Sequence, residues 1–280
     1  DIEQMFDLLD VPQEIVDRVQ RGELDTRCAV VSNDEIGAVA EGFNSMVHGL
    51  RERETIRETF GKYVSPEVRD EILAGRVSGA GATLDVTILF ADLRDFTPWV
   101  ESHPAAEVVA DLNAYFAEMD AAIRAQGGLV LQFIGDEIEA VFGAPIATNG
   151  HADAALAAAR AMGERLNAFN AARQTQGKPA LRHGIGIHSG TVIAGNIGSS
   201  ERLSYALVGD AVNVASRIQA LNKELGTTVL VSAATQALLA SSSNLSPLPS
   251  ARVKGRSSEV AIYALAGPWT DAPAPSMRST

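Results

Sequence analysis

The sequence of 280 residues has one cysteine, fewer basic than acidic residues and no long apolar run. Cys28 alone excludes an intrachain disulfide and a cysteine-based zinc site, and it favours a reducing, cytoplasmic location. No stretch of about 18 apolar residues occurs, so no segment is expected to span a membrane. No secretory signal is visible. The 23 basic and 35 acidic residues give a net charge of −12, which argues against nucleic acid as a partner.

What the sequence does contain is typical of a globular protein with a core. Hydrophobic residues make up 46% and charged residues 21%, so the chain as a whole is not expected to be disordered. The first residue is Asp1 rather than Met, and we expect the chain to be a piece of a longer protein. Four parts are expected, namely a small helical module (1–55), a helical junction (56–82), a large domain (83–268) and a disordered tail (269–280).

The helical module predicts a dimer. Its second helix carries five apolar residues spaced 3, 4, 3 and 4 apart, which is a heptad seam. A shorter helix that ends at Gly22 precedes it, and residues 23–33 form an extended connector. Two short amphipathic helices cannot bury both faces alone, so two chains are expected to form a parallel four-helix bundle. The seam consists of Ile36, Val39, Phe43, Met46 and Leu50.

The order of these features over about residues 8–55 resembles a HAMP domain, although any small helical hairpin is an alternative. The resemblance is carried by the first helix, the connector, the Asp-Glu-Ile-Gly sequence at 34–37 and the second helix. It implies an all-α dimeric module that relays a signal from transmembrane helices upstream of this chain. We therefore expect a soluble fragment from the cytoplasmic side of an inner-membrane or plasma-membrane protein.

The large domain alternates strand-like and helix-like segments, which predicts an α+β fold with a mostly antiparallel sheet and helices on one face. Residues 84–93 are predicted to be a central buried strand because both faces are apolar. Residues 129–143 predict a hairpin, and residues 181–196 predict two strands separated by Ser189 and Gly190. A later helix carries Asn213 and Arg217 four residues apart, on one face.

Two carboxylates stand where predicted strands end. Asp92 ends the central strand, and Asp136 lies at the tip of the hairpin. A buried carboxylate is costly unless it is paired or binds metal, and two such groups can hold one or two Mg²⁺ ions against a nucleoside triphosphate. A solvated strand end and a turn aspartate would explain either residue alone, but explain the pair poorly. The neighbouring Glu137 and Glu139 are predicted to be solvated hairpin residues rather than extra charge near the metals.

Four segments, in order, resemble the class III nucleotide cyclase catalytic domain over about residues 83–266. They read VTILFADLRDFT, FIGDEIEAVFG, GIGIHSGTVIAGNIGSSERLSYALVGDAVNVASRI and VKGRSSEVAIYAL. The resemblance implies a ferredoxin-like βαββαβ domain, paired head to tail in a homodimer with its active sites at the interface. It also implies that a nucleoside triphosphate is converted to a 3′,5′-cyclic nucleotide and pyrophosphate, with two Mg²⁺ or Mn²⁺ ions per site.

The resemblance assigns the metal and phosphate positions. The two metal-binding aspartates fall on Asp92 and Asp136, assisted by the backbone carbonyl of Leu93. Phe96 and Thr97 fall in the turn that contacts phosphate.

The resemblance also assigns three residues from other segments. Asn213 would orient the ribose, and Arg217 would meet the charge that grows on the α-phosphate in the transition state. Lys254 would hold the triphosphate tail. A surface ion pair for Arg217 and a solvated loop lysine for Lys254 are the alternatives, and both are disfavoured by the surrounding motifs.

Two base-selecting positions depart from the adenylate cyclase pattern. Gln132 stands where a lysine is usual, and Ala206 stands where aspartate or threonine is usual. A glutamine amide both donates and accepts hydrogen bonds, so it can serve adenine and, by rotating, guanine or a pyrimidine. Ala206 offers no polar contact, so the base would rely on backbone such as the Leu207 carbonyl, or on water. We therefore expect weak discrimination between bases.

The leading prediction is an adenylate cyclase that makes cyclic AMP from ATP and is regulated through the HAMP module. A guanylate or pyrimidine nucleotide cyclase is the alternative that Gln132 and Ala206 motivate. A catalytically silent, nucleotide-binding pseudo-cyclase is a further alternative. A diguanylate cyclase is disfavoured, because the helix that carries Asn213 and Arg217 would have no role there.

Overall fold

The computed structural model divides into two units, residues 1–69 and residues 70–280. Most of the predicted junction (62–80) and the whole predicted tail (269–280) lie outside the residues that the structure describes. The described residues are 13–30, 35–61, 81–199, 203–241, 244–252 and 259–267.

The described part of the first unit is helical, as predicted. Helix α1 spans Gln13–Gln20 and helix α2 spans Glu35–Gly61. The connector between them contributes a buried cysteine to a small apolar cluster. No helix among the described residues is both long enough and apolar enough to cross a membrane. The cluster consists of Ile15, Val16, Cys28, Ala40 and Phe43.

Asn44 holds the connector against α2. The Cys28 backbone N–H donates to Oδ1 of Asn44 at 2.8 Å, and Nδ2 of Asn44 donates to the Cys28 carbonyl at 2.9 Å. One side chain thus satisfies both backbone polar groups of an extended residue. A shift of the connector along the helix would break both hydrogen bonds.

Helix α2 carries two apolar stripes. Ala40 and Val47 are buried within the unit, at 4% and 3% exposure. Three members of the predicted seam, Val39, Met46 and Leu50, are instead 40%, 52% and 38% exposed. These three residues are therefore largely exposed in the described part of the unit, whereas Phe43 of the seam packs in the apolar cluster. The four-helix dimer stays a prediction.

The second unit alternates strands and helices. Its first half comprises β1 (Ala82–Leu93), α3 (Phe96–Ser102), α4 (Ala105–Ala125), β2 (Leu129–Ile134), β3 (Glu137–Phe142) and α5 (His151–Thr175). Its second half comprises β4 (His183–Gly198), β5 (Leu203–Val208), α6 (Asp210–Leu225), β6 (Val229–Ser232), α7 (Ala233–Gln236), β7 (Leu245–Pro247), β8 (Ala251–Arg252), β9 (Glu259–Val260) and β10 (Ile262–Leu265).

The main sheet of this unit has the predicted ferredoxin-like core. Its strand order is β2-β3-β1-β4-β6-β10-β7, with β5 paired to β4. The pairings are antiparallel except for β4 with β6. Along the chain, β1, α4, β2, β3, α5 and β4 form a βαββαβ unit whose strands lie in the order β2-β3-β1-β4. The α+β fold with a mostly antiparallel sheet is thus confirmed, and β1 is an interior strand.

The prediction that the helices cover only one face of the sheet is wrong. Val229 and Val231 of β6 belong to the core under α4 and α5. Leu230, which lies between them, packs instead with Val214 and Ile218 of α6. Because successive side chains of a strand point to opposite faces, α6 covers the face opposite to α4 and α5.

The prediction of two strands over 181–196 is also wrong, because β4 is one strand of 16 residues. Ser189 and Gly190 lie inside this strand rather than in a turn. The glycines of β4 serve the packing of α6 instead. A Cβ added to Gly186 would lie 2.2 Å from the backbone nitrogen of Gln219, so only glycine lets the helix approach this closely.

Candidate active site

The two aspartates that the sequence singles out meet at one edge of the sheet. Asp92 is the next-to-last residue of β1, and Asp136 lies in the turn between β2 and β3. Strand β3 runs antiparallel beside β1 with Ala91 opposite Ile138, so the turn lies beside the end of β1. The Asp92 and Asp136 carboxyl groups are in hydrogen-bonding contact.

This pair of carboxylates is electrostatically uncompensated. Burial raises the pKa of Asp92 to about 7, and the hydrogen bond and the negative charge of Asp136 add to the rise. Burial also raises the pKa of Glu137, with the charges of Glu139 and Asp136 acting in the same direction. Within the described residues, no salt bridge reaches Asp92 or Asp136. The pair therefore favours a proton or a cation between its two members.

The donor set fits a divalent cation of the Mg²⁺ type. Two carboxylates that share a proton become a pair of oxygen ligands when a cation takes the place of that proton. No group of three or more His, Cys, Asp or Glu side chains suited to a metal occurs among the described residues. Mg²⁺ needs no such cage, because it binds through one or two carboxylates and takes its other ligands from phosphate and water.

A cleft of about 450 Å³ opens beside the two aspartates. Three further predicted site residues line it, together with basic residues that the sequence analysis did not name. No motif marks these basic residues, since they reach the cleft only through the packing of α6 and of the segment before β4. The cleft is lined by, among others, Leu93, Phe96, Thr97, Arg182 and Lys223.

The prediction that Glu137 and Glu139 are solvated is wrong. Glu139 is only 5% exposed, and Glu137 is half-buried. The side-chain nitrogen of Gln132 donates to Oε2 of Glu139 at 2.6 Å. Burial raises the pKa of Glu139, and the hydrogen bond from Gln132 opposes that rise.

The two predicted residues of α6 do not join the aspartates within one chain. Asn213 is exposed and Arg217 is half-buried. Among the described residues, no hydrogen bond or ion pair involves the Arg217 side chain. The part of α6 that lines the aspartate cleft begins at Gln219, two residues after Arg217, and continues to Lys223.

The remaining predicted residues lie on β5 or outside the described residues. Ala206 pairs with Gly195 of β4 in the β4–β5 hairpin, and Leu207 pairs with Ala194. Lys254 lies outside the described residues. The hairpin leaves several large apolar side chains exposed, which are Ile193, Ile197, Leu203 and Val208.

Tyr115 is a neighbour of the site that the sequence analysis missed. It is fully buried on α4, and burial together with the charges of Asp92 and Asp136 raises its pKa. Its hydroxyl lies 3.1 Å from Nδ1 of the buried His183. The available signal was its place beside Phe116 on a helix with an apolar stripe, but periodicity alone does not say which of two adjacent aromatic residues faces the sheet.

Comparisons with known proteins agree with this geometry. Residues 80–267 match the family described as adenylate and guanylate cyclase catalytic domain, and residues 13–52 match the HAMP domain. Adenylate cyclase 1 of Rhizobium meliloti is 42% identical over 211 residues, which are 75% of this chain and 32% of that protein. The chain spans 32–39% of the length of the curated relatives it matches.

Solved structures agree as well. The guanylyl cyclase Cya2 is 33% identical with a TM-score of 0.62, covering 69% of this chain and 98% of that chain. The adenylyl cyclase CyaB from P. aeruginosa is 28% identical with a TM-score of 0.62, covering 68% of this chain and 97% of that chain. The chain therefore belongs to the class III adenylate and guanylate cyclase family, with a HAMP domain ahead of its catalytic domain.

Proposed function

We propose that this chain converts ATP to 3′,5′-cyclic AMP and pyrophosphate. The observation that carries the proposal is the contact between the half-buried carboxyl groups of Asp92 and Asp136. Neither of them forms a salt bridge with a basic residue among the described residues. The similarity to an adenylate cyclase over three quarters of the chain supports ATP as substrate. In the reaction, the ribose 3′-hydroxyl loses its proton to solvent, and its oxygen bonds to the α-phosphorus as the bond to pyrophosphate breaks.

The residues that line the cleft would bind the metal ions and the phosphates. Asp92, Asp136 and the carbonyl of Leu93 would hold two Mg²⁺ or Mn²⁺ ions. Bound there, the ions would lower the pKa of the 3′-hydroxyl and neutralise triphosphate charge. Phe96 and Thr97, at the start of α3, would contact the phosphates.

Three residues would act from outside this cleft. Lys254 would bind the triphosphate tail. Asn213 and Arg217 would come from the partner subunit, orienting the ribose and meeting charge on the α-phosphate. Neither Asn213 nor Arg217 lines the aspartate cleft of its own chain, and the β4–β5 hairpin carries exposed apolar residues. Both observations support a head-to-tail homodimer with shared sites.

A guanylate or pyrimidine nucleotide cyclase is the second candidate. Ala206 offers the base no polar side chain, and the similar structure of Cya2 is that of a guanylyl cyclase. The base position would then depend on Gln132, on the backbone of Leu207 and on water.

We further propose that the HAMP module, within residues 1–55, sets how two catalytic domains (83–268) meet, through the junction at 56–82. The exposed seam residues Val39, Met46 and Leu50 of α2 support a parallel dimer. The HAMP match supports a place on the cytoplasmic side of an inner or plasma membrane, with the anchor in a part of a longer protein outside this chain.

Product analysis tests the substrate. The 280-residue chain is incubated with ATP, GTP, CTP or UTP and with Mg²⁺ or Mn²⁺, and the products are separated by chromatography. Cyclic AMP as the main product is expected, while dominance of another cyclic nucleotide would select the second candidate. No turnover with any of the four would leave a nucleotide-binding, signal-relaying domain.

Mixing two inactive variants tests the shared site. Asp92→Ala lacks a metal ligand and Arg217→Ala lacks the charge that meets the transition state, so each homodimer should be inactive. A mixed dimer contains one intact site, and random mixing should restore roughly a quarter of wild-type activity. Mixtures that stay as inactive as the single variants would place both groups in one chain and contradict the shared site.

A further inference from the structure

Gln132 and Glu139 lie on the same face of the sheet as Asp92. In β3, Ile138 and Ala140 belong to the core under α4 and α5, so Glu139, between them, points to the opposite face. Gln132 of β2 is its direct cross-strand partner. The same alternation in β1, where Ala91 and Leu93 face α4 and α5, turns Asp92 to the face of Glu139.

The hydrogen bond between Gln132 and Glu139 fixes the direction of the glutamine amide. Glu139 is 5% exposed, and an ionised carboxylate only accepts hydrogen bonds. Oε2 of Glu139 accepts a hydrogen bond from Nε2 of Gln132 at 2.6 Å. The carbonyl oxygen of the same amide therefore points away from Glu139. Gln132 is exposed, and no hydrogen bond to its carbonyl oxygen occurs among the described residues.

Rotation of this amide is unfavourable. A half-turn would place the Gln132 carbonyl oxygen against the Glu139 carboxylate, where two acceptors would repel each other. It would also leave the buried carboxylate without its donor, and a buried charged group without a partner is costly. Glu139 thus removes the rotational freedom that would let a glutamine serve a base of either kind.

We propose that Glu139 is a positioning residue for base selection, which acts by holding the Gln132 carbonyl toward the substrate. An outward carbonyl accepts a hydrogen bond from an amino group and repels an oxo group. The substrates it favours are therefore triphosphates whose base carries an exocyclic amino group at this point, the 6-amino group of adenine or the 4-amino group of cytosine. Bases with an oxo group there, such as guanine, hypoxanthine and uracil, are disfavoured. The inference rests on the proposed function, because it takes Gln132 to contact the base.

Inosine triphosphate is the probe for this contact, since its purine has an oxo group where ATP has the 6-amino group, with a hydrogen on the adjacent N1 where adenine has an acceptor. We expect the wild-type 280-residue chain to favour ATP over inosine triphosphate in kcat/KM by about tenfold or more, because a buried or oriented polar group left unpaired is what rejects an analogue. Glu139→Gln keeps the size of the side chain, but its amide can either donate to or accept from Gln132. The ratio should then fall toward one.

A second pair of variants separates positioning from a direct or structural effect. In a Gln132→Ala background, Glu139→Gln should leave the ATP to inosine triphosphate ratio unchanged, because the effect passes through Gln132. Glu164→Gln, an exposed glutamate on α5, is the matched control and should keep the wild-type ratio. Thermal unfolding checks that each variant folds, and Gln132→Ala alone, an exposed change, tests the contact if Glu139→Gln does not fold.

The outcomes distinguish a failure of the inference about Glu139 from a failure of the proposed cyclase function. Turnover with an unchanged ratio in Glu139→Gln, or a wild-type preference for inosine triphosphate, would overturn the inference while leaving the cyclase proposal intact. Absence of turnover in wild type would instead overturn the proposed function. Competition of ATP and inosine triphosphate for a fluorescent ATP analogue would then measure the preference as binding, with equal affinities counting against the inference.

Discussion

Two aspartates of the catalytic unit have opposite electrostatic surroundings. Asp111 on α4 is 9% exposed and forms ion pairs with Arg173 at 2.8 Å and Lys178 at 2.7 Å. Burial alone would raise the pKa of Asp111, but the hydrogen bonds and charges of Lys178 and Arg173 lower it below its usual value. Asp92 instead forms a hydrogen bond with another carboxyl group, that of Asp136, and burial together with this neighbour raises the pKa of Asp92 to about 7. Asp111, whose charge is compensated by two basic residues, has a structural role. Asp92, whose charge is not compensated, marks the candidate site.

The largest expected effect is on activity, at the uncompensated position. Asp92→Asn should lower cyclase turnover at least about a hundredfold, because a neutral amide is a poor ligand for Mg²⁺ or Mn²⁺. The midpoint of thermal unfolding without added metal should stay equal or rise, since the repulsion with Asp136 is removed. Initial rates and a thermal melt measure both.

Asp120→Asn is the control for this prediction. Asp120 pairs with Arg124 on the surface of α4 at 2.8 Å, and such a pair contributes little, about 0.3–0.5 kcal/mol. Both turnover and stability should remain near wild type. A stable, fully active Asp92→Asn would remove the distinction between Asp92 and Asp111.

At the compensated position the effect should fall on stability instead. Asp111→Asn leaves Arg173, which is 3% exposed, as a buried charge with its main partner lost. Removal of one member of a buried ion pair costs about 3–5 kcal/mol. Urea unfolding should show a loss of this size, and turnover per folded molecule should remain close to wild type.

The pH dependence of that loss follows from the direction of the shift. A carboxyl whose pKa is lowered on folding adds stability above its unfolded value of 3.8, and loses it as pH falls through the folded value. The difference in unfolding free energy between wild type and Asp111→Asn should therefore be largest at neutral pH and shrink below pH 3.8. A constant difference across this range would mean that Asp111 stabilises by packing rather than by charge.

Local patterns predict the candidate site better than they predict its surroundings. Asp92 and Asp136 could be found because a carboxylate at the end of an apolar strand is expensive wherever the strand lies. Their contact also followed, since a hairpin beside a central strand brings its tip to that strand's end. The alternation of strand-like and helix-like segments predicted an α+β fold with a mostly antiparallel sheet, while the βαββαβ order was implied by the resemblance to the cyclase family.

What the sequence did not predict depends on contacts between distant segments. Glu139 looked solvated because its position next to a turn says nothing about burial, which is decided by β1 and β2 on either side. Ser189 and Gly190 looked like a break between two strands, but Gly190 and Gly186 lie within β4, where they let α6 pack closely on a second face of the sheet. Asp111 gave no signal at all, since Arg173 and Lys178 lie more than 60 residues away in the chain.

The buried hydroxyl of Thr87 is an uncharged group that can be compared with the two aspartates. Thr87 of β1 is fully buried, and its hydroxyl lies 2.7 Å from both Nδ1 of His151 and the Ser189 hydroxyl. Thr87→Val keeps the shape and removes the hydroxyl, which leaves two polar groups short of a partner. The unfolding free energy should fall by about 1–3 kcal/mol. This loss is smaller than at Asp111, because no buried charge loses its partner.

Thr83→Val on the same strand is the matched control. Thr83 is exposed, so this variant should unfold within about 0.5 kcal/mol of wild type. Equal losses in the two variants would mean that valine in β1, rather than the lost hydroxyl, causes the change.

The smallest expected effect is the pH response of His151 itself. Burial lowers the pKa of His151, and the charge of Asp85 partly opposes this. Because the folded state takes up the proton less readily than the unfolded state, stability should fall as pH drops below 6.5 and through the folded pKa. His151→Gln removes this titration, so its unfolding free energy should change less than that of wild type between pH 7.5 and pH 5.5, the two limits being chosen to bracket the unfolded value of about 6.5. A steeper fall in His151→Gln than in wild type would reverse the sign assigned to this group.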